Sequence, residues 1–507
     1  MLMNRKVLHI VVIASCLLLA GCRHSSLKPL ETSGAGESAA VGTPEESDVV
    51  IPYNIAPLNF LLDGSEYAHA SIEVRGSRWA LSTRARRGRV IFPEKKWKRF
   101  LACEKGHRLT LSLDGVVVGD NSCVPWVGPT GGVVVSPDSI DAYVTYRLID
   151  PGFEVWHRVE ICERDITGFG ERVLSDWRHT DNSCMNCHTH AGARGDLSFF
   201  HLRGKGGGTI LNREGTLRKL TLKTDSMPVA ATYGDLHPSG RYGVFSYNVV
   251  LPSLRMLGSN RMEVYDSESD LLVADFDADR LLFSPLVSGS DELETFPTFS
   301  PDGQYVYFCR APRTELPDSV SCLHYDIARI AFSPATGTWG DSIETVWSGD
   351  DNAASASFPK LSPDGRWLLF CRSAFGTFPI WHRETSLQMM DMTTGAVDTL
   401  PQLAANASSS YHSWSSTGRW IAFASKRGDG IYGRIWFAHV DEEGRVGCPF
   451  QLPQRNPEHD RLFLKSYNIP DLGSSPVPFD ARVIGRLRKN VPAEPFSAEP
   501  LPTRDDN

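Results

Sequence analysis

No apolar run after Leu19 approaches the roughly 18 residues that a membrane-crossing helix needs, which excludes a polytopic membrane protein. Positive charge is not in excess. The 52 Lys and Arg stand against 60 Asp and Glu, a net charge of −8, so the broad basic footprint of a nucleic-acid binder is missing. Cysteine is sparse: 11 in 507 residues are too few for a disulfide-built scaffold, yet few enough that each needs a reason. No G-x-S-x-G elbow, P-loop, HExxH or EF-hand loop occurs, so the common hydrolase, NTPase, zincin and calcium signatures are absent. Gly204-Lys205-Gly206-Gly207-Gly208 has no convincing helix after it and reads as a hairpin turn, not a phosphate cradle.

What is present points to β structure. The chain is 41% hydrophobic and 22% charged, an ordinary folded composition. It combines 24 Phe, 14 Tyr and 12 Trp with 43 Gly and 32 Pro, which favours strands and turns over helix bundles. The length suits two to four domains, or a repeat array with a smaller companion.

The first residues form an address. Arg5 and Lys6 precede an apolar stretch, Val7–Leu19, and then Leu19-Ala20-Gly21-Cys22. This is a positive n-region, a short h-region and a small-residue cleavage site. Leu-Ala-Gly-Cys resembles the bacterial lipobox, which implies that residues 1–21 are removed and that Cys22 becomes the lipidated N-terminus. Arg23 in place of Asp implies sorting to the outer membrane. Residues 22–48, rich in Ser, Gly, Ala and Glu, read as a flexible linker.

Short alternating runs such as Ser71–Val74, Leu109–Leu113 and Tyr143–Ile149 predict an immunoglobulin-like β-sandwich over residues 49–171. Around Trp97 a short helix and an exposed aromatic turn remain equally open. The second half repeats. His237–Ser246, Ser300–Cys309, Ser362–Cys371 and Ser415–Ala424 share a turn and an apolar strand, with Gly240, Gly303, Gly365 and Gly418 at spacings of 63, 62 and 53. Pro presets φ, Asp or Ser bonds the local backbone, and Gly takes the positive φ of the turn. Such units must stack on one another to bury their faces. The Ser-Pro-Asp-Gly turn and the strand after it resemble the PD40, TolB-like β-propeller family. The resemblance implies a propeller over 195–474, about six blades. Ser198–Leu222 is expected to supply strands of an earlier blade and Arg461–Pro470 the closing strand. Residues 475–507 read as a frayed tail.

Between these regions, in the segment 172–194, lies Cys184-Met185-Asn186-Cys187-His188. C-x-x-C-H is the spacing of c-type haem attachment. Cys184 and Cys187 would form thioethers with the vinyl groups, and His188 would ligate the iron. A redox-active disulfide, a zinc site and a plain loop disulfide remain alternatives. His201 is a candidate second ligand, with His179, His237, Met227 and Met256 behind it; a strand histidine with an ordinary hydrogen bond is the competing reading of His201. Cys103–Cys123 and Cys309–Cys322 are candidate disulfides, while Cys309 and Cys371 also suit small buried positions in blade strands.

The order of these parts resembles a group of exported bacterial proteins that join a cytochrome-like segment to a TolB-like propeller. The expectation is an all-β, lipid-anchored cell-envelope protein, on the periplasmic or surface face of the outer membrane. It would carry one haem c for electron transfer or sensing, meet a redox partner or other envelope proteins, and bind no nucleic acid. The alternative is a non-haem interaction or transport lipoprotein in which C-x-x-C-H is structural. Neither reading makes it an enzyme.

Overall fold

The computed structural model describes residues 25–30, 48–118, 125–126, 132–150, 158–224, 227, 229–253, 263–289, 291–316 and 319–498. Among them are six sheets of four or more strands whose inner strands contact one another in a closed ring. Blade one takes its inner strand from the C-terminal side, Ser466–Gly473, and its outer three from Tyr143–Ile149, Glu160–Asp165 and Glu171–Asp176. Blades two to six follow in chain order, with inner strands Met185–His190, Tyr233–Leu236, Glu292–Phe299, Ser355–Leu361 and Ser409–Trp414. The chain is therefore all-β with a six-bladed propeller, and the strand closing the ring overlaps the one expected from the sequence. The ring takes strands from both sides of the C-x-x-C-H segment. Tyr143–Ile149, grouped in sequence with the N-terminal region, is in fact its second strand. Alternation reports a half-buried strand but not the sheet it joins.

The blades form because their second strands are buried on both faces. Phe308, Leu369, Phe370 and Phe423 are each fully buried between sheets. The repeat turns are locked locally. Ser300 Oγ donates to Asp302 at 2.5 Å and accepts the Tyr305 amide at 3.0 Å, and Gly303 sits at φ 71°. Ser362 makes the same pair of bonds with Asp364 and Trp367. The last repeat departs from the pattern for a physical reason. Ser416 stands where Pro301 and Pro363 stand in the others, and its amide donates to Asp141 Oδ2 at 2.7 Å while its hydroxyl donates to Oδ1 at 2.6 Å. Proline has no N–H to give.

The N-terminal region is a seven-stranded sheet, a two-stranded ladder and the helix Glu94–Cys103. The helix buries Trp97, whose indole donates to the Ile55 carbonyl at 3.1 Å. The strand pairings here show an N-terminal β-sheet region and do not establish the immunoglobulin-like sandwich expected from the sequence. The core of this region runs without a break into blades one and six, through Trp420, Phe437, Phe450, Tyr467 and Leu472. Ser26–Pro29, in the expected linker, pairs with Trp79–Arg84.

The tail is not frayed up to residue 498. The helix Ala481–Asn490 is capped by Asp480, which accepts the Arg482 and Val483 amides. Glu494–Pro495 and Ser497–Ala498 then add parallel strands to the outer edges of blades two and three. Cys309 and Cys322 are both free thiols, so the pairing read from sequence is not formed. Cys309 is buried in a blade strand, whereas Cys322 is exposed in a separate turn. Cys123 and Cys22 lie outside the described residues. No helix among the described residues is long and apolar enough to cross a membrane.

Candidate functional site

Five of the six inner strands share a local break. Cys187, Phe296, Phe358, Tyr411 and Ile469 all have positive φ, between 46° and 55°, and each sits at a register shift of its ladder. Such a bulge turns one side chain out of the pleat. Here it turns them toward the axis of the ring. Phe296 and Phe358 stand 3.9 Å apart by ring centroids, Tyr233 and Phe296 4.5 Å, and Phe358 and Tyr411 4.8 Å. With Cys187 and Ile469 they line a small central cavity of about 70 Å³. The aromatic cluster divides the axis into two compartments.

The residue after each bulge faces a neighbouring blade. It is proline at 297, 359 and 470, and histidine at 188 and 412. Cys187-His188 thus occupies the same structural position as Phe296-Pro297 and Tyr411-His412. His412 shows what this position does: its ring bonds the Leu369 carbonyl at 3.0 Å and lies 3.7 Å from Cys371 Sγ, both in blade five. His188 is turned toward blade one, near Thr145 and Ile469. Its ring nitrogens are buried, with only the backbone of Thr145 and Ile469 beside them among the described residues. Burial pushes its pKa down to about 3, with His190 and Arg147 adding repulsion.

On the side preceding the bulges, a funnel of about 880 Å³ opens. Cys184 and Cys187 both line it, together with Arg147, Arg203, Lys426 and apolar side chains. Burial pushes the Cys184 thiol up and the Cys187 thiol to about 11, against the opposing pull of Arg147 and Arg203. On the other side is a polar vestibule of about 240 Å³ lined by His190, Asp235, Lys360 and Asp471. Asp471 accepts the His190 amide at 2.7 Å, and Lys360 lies 3.6 Å from Asp235.

The candidate second ligands are scattered. His201 lies on the blade-three face of its sheet, with Nδ1 2.9 Å from Thr209 Oγ1 and its ring packed on Phe199 and Phe245. His188 and His201 are therefore on opposite faces of one sheet. His179 bonds Asp176 at the outer edge of blade one, and His237 sits in a repeat turn beside Ser239. Met227 is buried in the core between blades two and three, and Met256 lies outside the described residues. Among the described residues no group of three or more His, Cys, Asp and Glu is placed to hold a metal.

The thiols fit a prosthetic group in the funnel, but His188 does not. It is absent from the funnel wall that Cys184 and Cys187 share. His188 instead lines the small central cavity, beside Cys187. The bulge itself was a missed sequence signal. Phe296, Phe358 and Tyr411 each precede their repeat glycine by seven residues, as Tyr233 does without the bulge, and Cys187 begins the matching stretch of a blade that lacks the glycine.

No family profile matches the chain, and no curated relative matches it. Among solved structures, TolB from Acinetobacter baumannii is 14% identical, with a TM-score of 0.43, over 75% of this chain and 85% of that one. A hypothetical selenium-binding protein from Sulfolobus tokodaii is 11% identical, with a TM-score of 0.42, over 74% and 91%. An oligogalacturonate lyase in complex with manganese is 11% identical, with a TM-score of 0.34, over 62% and 74%. The propeller rests on the strand pairings described above.

Proposed function

We propose that this chain is a lipid-anchored envelope protein whose propeller is a non-catalytic interaction scaffold, with C-x-x-C-H built into its architecture. The observation that carries the reading is the equivalence of Cys187-His188 to Phe296-Pro297, Phe358-Pro359, Tyr411-His412 and Ile469-Pro470. A residue pair that the ring needs at five inner strands requires no separate chemistry at one of them. The raised thiol pKa values support the same conclusion. A redox-active C-x-x-C needs a thiolate, and these thiols are protonated at neutral pH. Anchoring rests on Leu19-Ala20-Gly21-Cys22. The test is a pull-down from envelope extracts with the full chain. Cys184→Ala and Cys187→Ala variants should retain the wild-type set of partners; loss of those partners with the fold intact would refute a structural role.

A second reading is favoured by one observation, the two thiols on the wall of one 880 Å³ funnel. A site of that size suits a cofactor. Covalently held haem c would supply electron transfer or small-ligand sensing, with Cys184 and Cys187 as attachment points. The orientation of His188 argues against it. A pyridine haemochrome spectrum after co-expression with haem-maturation machinery decides: a covalent haem band replaces the scaffold reading, and its absence removes the haem.

A further inference from the structure

The funnel carries an imbalance of charge that the scaffold reading does not use. Among the described residues Arg147, Arg203 and Lys426 line it against one acid, Asp150. Arg147 donates to Asn468 Oδ1 at 2.7 Å, but its Nε is buried with no partner. Arg203 is held by the Ala230 carbonyl at 3.3 Å and by Thr232 Oγ1 at 3.4 Å, both neutral acceptors. Lys426 lies 4.8 Å from the centre of the Trp381 ring. Among the described residues none of the three makes an ion pair. Elsewhere in the protein, arginines beside buried acids are paired: Arg108 with Asp48 at 2.6 Å and Arg241 with Asp275 at 2.8 Å.

The rest of the wall is apolar. Val229, Val264, Phe378, Ile380, Trp381 and Ile431 face the same space. Ile431 and Val229 remain 57% and 39% exposed, which is water-facing apolar surface at a concave site. A pocket of a few hundred Å³ or more, with apolar walls and a few convergent polar groups, is the ordinary form of a small-molecule site. Unpaired cations in a half-buried site cost desolvation that an incoming anion offsets. Burial already pushes Lys426 down to about 8, against the pull of Asp429.

We propose that the funnel binds an amphiphilic carboxylate, its apolar body against Phe378, Ile380 and Trp381 and its carboxylate among Arg147, Arg203 and Lys426. Charge complementarity and shape select this ligand class, independently of the scaffold reading. Arg147 and Arg203 both act electrostatically on Cys184 and Cys187, so they share the thiol-bearing wall. Lys426 belongs to blade six, at the end of Trp420–Ser425. The anionic end of the ligand is thus held from more than one side.

The experiment is titration calorimetry on the mature full chain with decanoate and with decylamine, which match in tail and differ in the sign of the head. Decanoate should bind at one site per chain, and decylamine at least tenfold more weakly. Arg203→Gln and Lys426→Gln should each weaken decanoate about tenfold or more, with the thermal midpoint as the control for folding. Equal binding of acid and amine, or undiminished decanoate binding in both variants, would overturn the proposal. A mature chain that carries covalent haem and excludes decanoate would also overturn it, because the occupant would then be a haem fixed at the thiols. Pull-down of envelope partners is a separate readout, so failure here leaves the scaffold reading standing.

Discussion

Replacing His412 with Gln should make the protein's stability less sensitive to acid, by an amount that the environment of the ring sets. His412 sits in the bulge of blade six, fully enclosed between blades five and six. Its Nε2 donates to the Leu369 carbonyl at 3.0 Å, and its Nδ1 faces the Cys371 thiol at 3.7 Å. That thiol is itself held protonated, pushed up to about 12 by burial, so it can donate to a neutral ring but is only a weak acceptor for a second ring proton. Burial drives the His412 pKa from 6.5 down to about 3, and Lys360 adds repulsion. Between those two pH values the unfolded chain binds a proton at this residue that the folded chain does not. Unfolding free energy therefore falls as pH falls through this window, by up to about 1.4 kcal/mol per pH unit. From pH 7.5 to 4.5 the loss from this one group comes to about 2.7 kcal/mol, a large share of a typical net stability of about 5–15 kcal/mol. The wild-type curve alone cannot isolate it. His188 carries a depression of the same sign, while Asp266, raised to about 7 by burial, contributes the opposite slope. The difference between wild type and His412→Gln removes both. A glutamine amide can still donate to a carbonyl but takes up no proton. Urea unfolding followed by tryptophan fluorescence at pH 7.5, 6.5, 5.5 and 4.5 should show the wild-type advantage shrinking by about 2.7 kcal/mol across the range. Parallel curves, with a gap constant to within about 0.5 kcal/mol, would refute the assignment of a neutral buried imidazole.

Other expectations follow from single contacts. Glu104, fully buried, accepts the amides of Ser77, Arg78 and Trp79 at 2.8, 2.9 and 2.6 Å. Glu104→Ala should cost about 3 kcal/mol or more in denaturant unfolding, because three amide donors of one turn lose their acceptor. Gly303→Ala should be worse than Gly115→Ala although both have positive φ. A Cβ at 303 would lie 1.9 Å from His237 Nε2, whereas at 115 nothing lies within 4 Å. The left-handed backbone costs either alanine about 1 kcal/mol, and thermal denaturation should show a clear further loss at 303 alone. Truncation after Asn490 removes Glu494, which Arg218 holds at 2.6 Å, and uncovers the outer edges of blades two and three. Sedimentation should then show self-association, since bare sheet edges pair with other chains; a strictly monomeric truncation would count against an edge-covering role.

Much of the ring was legible in the residues. Ser300-Pro301-Asp302-Gly303 and its relatives are local devices, in which a side chain bonds the nearest backbone and a glycine takes a positive φ, so they announce themselves without any knowledge of the fold. The apolar strand after each turn follows from burial on both faces. The blade number was not legible: the sequence left about six with seven open, and the count closes only because residues 143–176 supply three strands of blade one to the strand Ser466–Gly473. What could not be read was membership. Tyr143–Ile149 has the same alternating pattern in a sandwich and in blade one, and only its pairing with Asn468 and its neighbours, more than 300 residues away in sequence, settles which.

The candidate site divides along the same line. The sequence by itself determined the chemistry available: two thiols and an imidazole at a fixed spacing. The tertiary structure decided where that chemistry points. The bulge at Cys187 aims one thiol at the axis, the next residue turns His188 toward blade one, and the sheet separates it from His201. Arg147, Arg203 and Lys426 line one funnel from three different blades. Spacing along a chain fixes which groups are neighbours in sequence. The direction of a side chain, and its company across a ring, depend on backbone torsions and pairings set by the packing of all six blades.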